Sequence, residues 1–345
     1  MIFSRTPCCM VMASAFLASI PSHAANLITN GDFSGGTSGT YAPGSATGGA
    51  NNVPTGWVGY ATGNDSLFVN GSQRVNFNGG DKPSGSYIEQ SVSTQTNRWY
   101  ALAWQQQSHS GTDNGGVLMT STLTSGAAST TSSLRGMLDG ASLIHTMSTS
   151  TTVRLSDIGA STVSLDTQLD NVVLDLANGQ YNVAHLATLS SDSQYGLGTW
   201  GNEENAVDGR IGATNSSNTI FHSNNNSGGW YEMDFTLNAM GAYIDRIEIE
   251  ARPGFNSRMG DSIQIYSTSD ALLETIVIDD SSGSFGVDGT WSDVGRIRIA
   301  NDGDFINLAE VRTFSSFVDG VMVPEPSSLT LLGLGSLALV LRRRK

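Results

Sequence analysis

Lysine and cysteine are nearly missing from this chain. Its 345 residues hold two lysines, Lys82 and Lys345, and two cysteines, Cys8 and Cys9. Both cysteines fall in an apolar N-terminal stretch, so the remainder has no disulfide framework and no thiol chemistry. Proline is scarce at 8 residues, whereas glycine reaches 40. The main body lacks a sustained 3.6-residue apolar period, which argues against a helical bundle. It also lacks a G-x-S-x-G elbow, an H-E-x-x-H pair and a P-loop. The histidines at 109, 145, 185 and 222 are scattered, with no pair at metal-ligand spacing. Paired acids such as Glu203-Glu204 and Asp279-Asp280 are expected in so acidic a chain and carry no weight for glycoside hydrolysis. The chain is expected not to be an enzyme, and a polysaccharide-active hydrolase is the least favoured reading.

Positive charge is short as well. The formal net charge is −14. With the two chain ends set aside, about 12 basic side chains face about 30 acidic ones, roughly −18. Such a field repels nucleic acid and anionic membranes, and both are discarded as partners. It suits divalent cations and neutral polymers. Plain solubility outside a cell explains the same charge more simply.

What is present is most specific at the two ends. Arg5 opens a positive segment, residues 8–20 are apolar, and Ser22-His23-Ala24 is a small-x-small cleavage site. Residues 1–24 therefore read as a secretion signal cut after Ala24. A lipoprotein signal does not fit, because the cysteines precede the apolar run. Residues 323–345 read VPEPSSLTLLGLGSLALVLRRRK. Pro324 and Pro326 stop a helix or a central strand. The apolar run at 329–341 falls short of the roughly 20 residues that span a bilayer core comfortably. Arg342, Arg343, Arg344 and Lys345 can snorkel and hold the C-terminus on the cytoplasmic side. A simple anchor or a buried helix is the plain alternative, although four terminal cations have no reason to follow a core helix.

This tail resembles the PEP-CTERM sorting signal of Gram-negative bacteria, with Pro324, Glu325 and Pro326 as the triplet, a short transmembrane helix and a basic end. The resemblance implies that an exosortase, a membrane peptidase, recognises the chain as substrate and cuts near the triplet. The protein would then be held transiently at the inner membrane through its C-terminal helix. From there it would pass to the cell envelope, the outer surface or an extracellular matrix.

Between the ends, Gly, Ser, Thr and Asn surround short alternating apolar runs, the pattern of an all-β chain with many turns. Two tandem antiparallel jelly-roll sandwiches are expected, at 25–176 and 181–316, joined by a linker at 177–180. The first opens with NLITNGDF from Asn26, has an early Gly56-Trp57 and closes with LDNVVLDL ending at Leu176. These features resemble the galactose-binding-like jelly rolls of carbohydrate-binding modules. Trp57, Tyr60, Trp99, Tyr100 and Trp104 are candidates for a sugar-stacking platform there, with core packing as the bland reading. In one strand Trp99 and Tyr100 point to opposite faces, so only one of them can line a cleft. Asp170, beside Asn171, is a candidate structural calcium ligand.

The second region carries period-two runs YEMDF, RIEIE, SIQIYS and RIRIA between Tyr231 and Ala300. In that order it resembles the coagulation-factor type C, or discoidin, domain and its fucose-binding lectin relatives, which implies an eight-stranded antiparallel sandwich. The lectin relatives imply a calcium site at Asn205, Asp208, Arg210 (carbonyl), Thr219, Ala309 (carbonyl) and Glu310. The alternative is that Asp208 caps a turn beside Gly209 while Glu310 is solvated or paired with an arginine. They also imply sugar binding by one His and two Arg, which here are His222, Arg252 and Arg258. Two departures stand out. The relatives' Arg-x-Asp is here Arg252-Pro253-Gly254, and the two arginines are one residue closer together. The expected function is glycan binding, with the cell's own exopolysaccharide as a candidate partner. A structural coat or matrix protein without a specific ligand is the alternative.

Overall fold

Period-two alternation along the chain becomes antiparallel strands in the computed structural model. It describes residues 26–35, 39–40, 46–47, 54, 56–60, 68–70, 72–77, 86–108, 117–135, 138–158, 167–195, 202–209, 220–224, 228–235, 241–279 and 282–323. The expected signal peptide, the triplet Pro324, Glu325 and Pro326 and the apolar run behind it lie outside the described residues, as do Arg210 and Thr219. Among the described residues no helix is long and apolar enough to cross a membrane.

The first sandwich packs two six-stranded sheets. One runs in the order Gly39–Thr40, Phe68–Val69, Val75–Asn76, Thr167–Leu176, Trp99–Ser108, Leu138–His145. The other runs Ala46–Thr47, Val58–Tyr60, Tyr87–Ser93, Ser150–Asp157, Leu118–Ser125, Ala128–Arg135. Their inner faces bury Tyr100, Leu102, Trp104, Ile88, Met119, Leu123, Val153 and Leu155. The two ends read in the sequence meet. Leu27 N–H donates to the Leu174 carbonyl, and Asn26 Oδ1 accepts from Leu174 N–H at 3.1 Å. Gly31 is required at this join, because a Cβ there would sit 1.9 Å from the Val172 carbonyl oxygen.

In the second sandwich, one layer holds Gly179–Asn182, Asn307–Val318 and Ala242–Ala251. The other holds Thr188–Ser191, Gly229–Asp234, Ser262–Ser267 and Leu272–Val277. The strand Ser284–Asn301 belongs to both. Its first half pairs with Ala242–Ala251, and its second half lies between Gly229–Asp234 and Ser262–Ser267. Bulges opposite Trp291 and Val294, with Asp293 at φ 59°, bend it across the corner. The expected alternating runs are these strands, with Tyr231, Met233, Ile247, Ile249, Ile263, Ile265, Ile297 and Ile299 inside.

The joint between the sandwiches departs from the expected linker. Ala177 is fully buried, and Gly179–Asn182 is already a strand, paired with residues 314–317. Trp99, Ala101 and Leu143 turn away from their own core and pack into that of the second sandwich, with Trp99 edge-on to Phe317 at 5.7 Å. His185 Nε2 accepts from the Leu143 N–H of the first sandwich at 3.3 Å. Strand Val321–Val323 pairs with residues 316–318 and, with Trp99, His145 and Tyr243, walls a cleft of about 420 Å³ at this seam.

Candidate glycan and metal sites

Two buried carboxylates meet under one loop of the second sandwich. A turn of 3₁₀ helix, Glu203–Ala206, is capped by Asn202, whose Oδ1 accepts from Glu204 N–H at 3.2 Å. The loop is fixed at Glu203, which takes hydrogen bonds from Ser191 Oγ at 2.7 Å and from Gln194 Nε2, while its carbonyl accepts from Tyr231 OH at 3.0 Å. Glu203 therefore braces the loop. Past the turn, Asn205 and Asp208 are buried, and Asn205 Nδ2 donates to the Ile220 carbonyl at 3.0 Å. Glu310, on strand Asn307–Val318, is 1 % exposed, and neither of its carboxylate oxygens accepts a hydrogen bond. Burial and the charge of Asp208 push its pKa well above the usual carboxylate range, against a smaller opposing pull from Arg312 and the nearby Gly209 amide. Arg312 is itself committed to Glu248 at 2.7 Å. A buried carboxylate without hydrogen bonds beside a second carboxylate calls for a proton or a cation. Its all-oxygen donors suit a hard cation such as calcium. Among the described residues no three His, Cys, Asp or Glu side chains cluster at metal-binding distance. Such a site would therefore rest on two carboxylates, the Asn205 amide and backbone carbonyls such as that of Ala309.

At the other end of strand Phe221–His222, three residues distant in the sequence come together. Arg252, Pro253, Gly254 and Phe255 form a tight turn, with Phe255 N–H donating to the Arg252 carbonyl at 2.9 Å and Gly254 at φ 83°. Proline followed by a positive-φ glycine is the type II pattern. Asp304 Oδ2 accepts from Arg258 Nε at 3.1 Å. Phe255 lies beneath both guanidinium groups, at 4.3 Å from Arg252 and 5.2 Å from Arg258, and Phe305 lies 5.1 Å from Arg258. His222 is sandwiched by Tyr195, stacked at 4.7 Å, and Phe305, edge-on at 5.2 Å. Its Nδ1 lies 2.5 Å from the Ser223 carbonyl, which can only accept, so Nδ1 carries the proton and Nε2 is the acceptor. Burial, reinforced by Arg252 and Arg258 and opposed by the Ser223 contact and Asp304, lowers the pKa and keeps the ring neutral. Burial and Arg258 likewise lower the Arg252 pKa. The cluster thus joins an imidazole acceptor, two guanidinium forks and an aromatic wall whose outer member, Tyr195, is 45 % exposed.

The sequence named His222, Arg252 and Arg258, and the fold brings them together. It missed Tyr195, Phe255, Asp304 and Phe305. Phe255 was signalled by its place between the arginines, whereas Asp304 and Phe305 approach only through the sheet. The stacking platform of the first sandwich needs correction. Trp57 is 5 % exposed, packs on Phe33 and donates Nε1–H to the Asn30 carbonyl at 3.1 Å. Trp99, Tyr100 and Trp104 are buried too, and Trp99 and Tyr100 do point to opposite faces. A buried ring has no face to offer a sugar. Asp170 pairs with Arg74 at 3.4 Å and accepts from Asn171 N–H, so its carboxylate is taken by partners within the chain.

No curated protein matches this chain. Among solved structures it resembles a fucose-binding module of Streptococcus pneumoniae, at 24 % identity over 39 % of this chain and 96 % of that one, TM-score 0.34. It also resembles a fucolectin from striped bass (Morone saxatilis) serum, at 13 % identity over 72 % and 87 %, TM-score 0.35. A family 32 carbohydrate-binding module of Clostridium perfringens in complex with galactose matches at 16 % identity over 39 % and 98 %, TM-score 0.30. Likenesses this distant carry no weight for what the sites do. The match at the C-terminus is of another kind: residues 323–345 fit the PEP-CTERM protein-sorting motif. The chain is thus an all-β protein that ends in a PEP-CTERM sorting motif, a signal for export.

Proposed function

We propose that this is an exosortase substrate, delivered to the envelope or extracellular matrix, whose second sandwich binds a neutral glycan at His222, Arg252 and Arg258. The observation that carries the reading is their convergence with Asp304 and an aromatic wall in one cluster. Each arginine supplies donors in a fixed fork, neutral His222 supplies an acceptor, and Tyr195 supplies an apolar face for sugar C–H groups. Calcium held by Asp208, Glu310, Asn205 and the Ala309 carbonyl would serve as a structural ion that neutralises the buried carboxylates. Calorimetric titration with the producer's purified exopolysaccharide tests the reading. Saturable binding by the wild-type chain should weaken by roughly 10- to 150-fold in Arg252→Ala, the loss of a charged hydrogen bond. Equal affinity in the folded variant would refute it.

A further inference from the structure

The outer face of the first sandwich's second sheet is built differently from the rest of this acidic chain. Strand register lines up its outward residues in rows across the sheet. One row reads Tyr60, Tyr87, Ser156, Thr120, Ser133. The next reads Val58, Glu89, Arg154, Thr122, Thr131, and a third reads Ser91, Thr152, Thr124, Ser129. These side chains are half-buried or exposed, whereas their strand neighbours Ile88, Leu123, Val153 and Leu155 point into the core. Tyr60 and Tyr87 stack at 5.4 Å with 25° between the rings, and the Arg154 guanidinium lies 4.0 Å above Tyr87. Arg154 is held there by Glu89, with Nε and Nη2 on Oε2 at 2.9 and 2.7 Å. Hydroxyls pair between strands, Ser91 with Thr152 at 2.9 Å and Thr120 with Ser133 at 3.1 Å.

We infer that this face is a second binding surface, for an extended neutral polysaccharide laid across the strands. It rests on different residues from those of the second sandwich. Charge selects the occupant: among the described residues the three rows carry one carboxylate and one guanidinium, bonded to each other, in a chain of net charge −14. A polyanion finds no unpaired cation here, and a polycation finds no unpaired carboxylate. Tyr87 is held between Tyr60 and the Arg154 guanidinium, so it braces Tyr60, whose ring is the one left to meet the C–H face of a sugar unit. Beyond the two tyrosines, rows of hydroxyls that both donate and accept run on for three more strands, matching a polymer that presents hydroxyls along its length. Five strands at about 4.8 Å spacing make a track of roughly 19 Å, long enough for several sugar units.

Affinity electrophoresis of the full chain through gels holding hydroxyethylcellulose, galactomannan or alginate tests this surface. Retardation is expected in at least one of the neutral polymers and not in alginate. Tyr60→Ala with Tyr87→Ala should weaken it by about tenfold or more, the effect of truncating a central aromatic contact. In an Arg252→Ala, Arg258→Ala background the tyrosine substitutions should still weaken retardation by the same factor, which separates this site from that of the second sandwich. Thr122→Lys provides a second variant that changes the face without removing packing, and it too should reduce retardation. Absence of retardation in both neutral gels, retardation undiminished in the folded tyrosine variant, or loss only in the arginine variant would each overturn the inference.

Discussion

Replacing Glu310 by glutamine should make the protein more stable without calcium and blind to calcium. In the folded chain, burial and Asp208 raise the Glu310 pKa, so the native state holds a proton that the unfolded state has released above about pH 4.3. Metal-free stability must then fall as pH rises from the unfolded value, by up to about 1.4 kcal/mol per pH unit. The fall ends where pH passes the raised folded value. Glutamine cannot ionise, so the variant should lose this downward slope and melt above the metal-free wild type at pH 7. At the proposed site calcium would take the place of the proton, and at one hundred times its dissociation constant it would add about 2.7 kcal/mol. For a domain of this size that corresponds to roughly 5–10 °C in melting temperature. The assay is thermal denaturation by circular dichroism between pH 4.5 and 8, with calcium or with chelator. A wild-type melt indifferent to calcium at pH 7 would refute the metal reading. A metal-free melt that rises with pH in that window, with the same slope in the variant, would refute the coupling of the two carboxylates.

Two further outcomes follow from other parts of the fold. His185 is half-buried at the seam, and desolvation there lowers its pKa to about 4. Between about pH 6.5 and 4 the unfolded state therefore binds the extra proton, and stability should drop by about 3 kcal/mol as pH falls through that window. His185→Gln should flatten this acid limb in a pH series of urea melts, and an unchanged limb would contradict it. Gly31→Ala drives a methyl into the Val172 carbonyl and should cost about 2 kcal/mol or more by urea denaturation, with a neutral result contradicting the join of the opening and closing segments.

The alternating strands were legible because one face of each is buried, which forces period two on runs such as SIQIYS and RIRIA. The opening and closing segments of the first sandwich were legible as ends because Asn26 and Gly31 answer specific backbone needs of the strand through Leu176. The seam was not. Nothing local tells that the Trp99 face meets Phe317, or that Gly179 continues as a strand, since both depend on a partner distant in the chain. Aromatic residues misled for a related reason. Composition marks Trp57 as a potential platform, but only packing reveals that it is core and that Tyr60 with Tyr87 forms a half-buried pair on the outer face. In the second sandwich, Pro253 and Gly254 are there for the turn after Arg252, and sequence order does not show that Asp304 pairs with Arg258, because that contact forms only in the folded sandwich.

Whether His222, Arg252 and Arg258 form a sugar site is decided by a glycan array probed with the folded wild-type chain and with the Arg252→Ala, Arg258→Ala double variant. Wild-type signal on neutral glycans is expected to disappear in the double variant while its fold, by circular dichroism, is unchanged. A folded wild-type chain that binds no glycan on the array, or equal signal from both proteins, would contradict the sugar site.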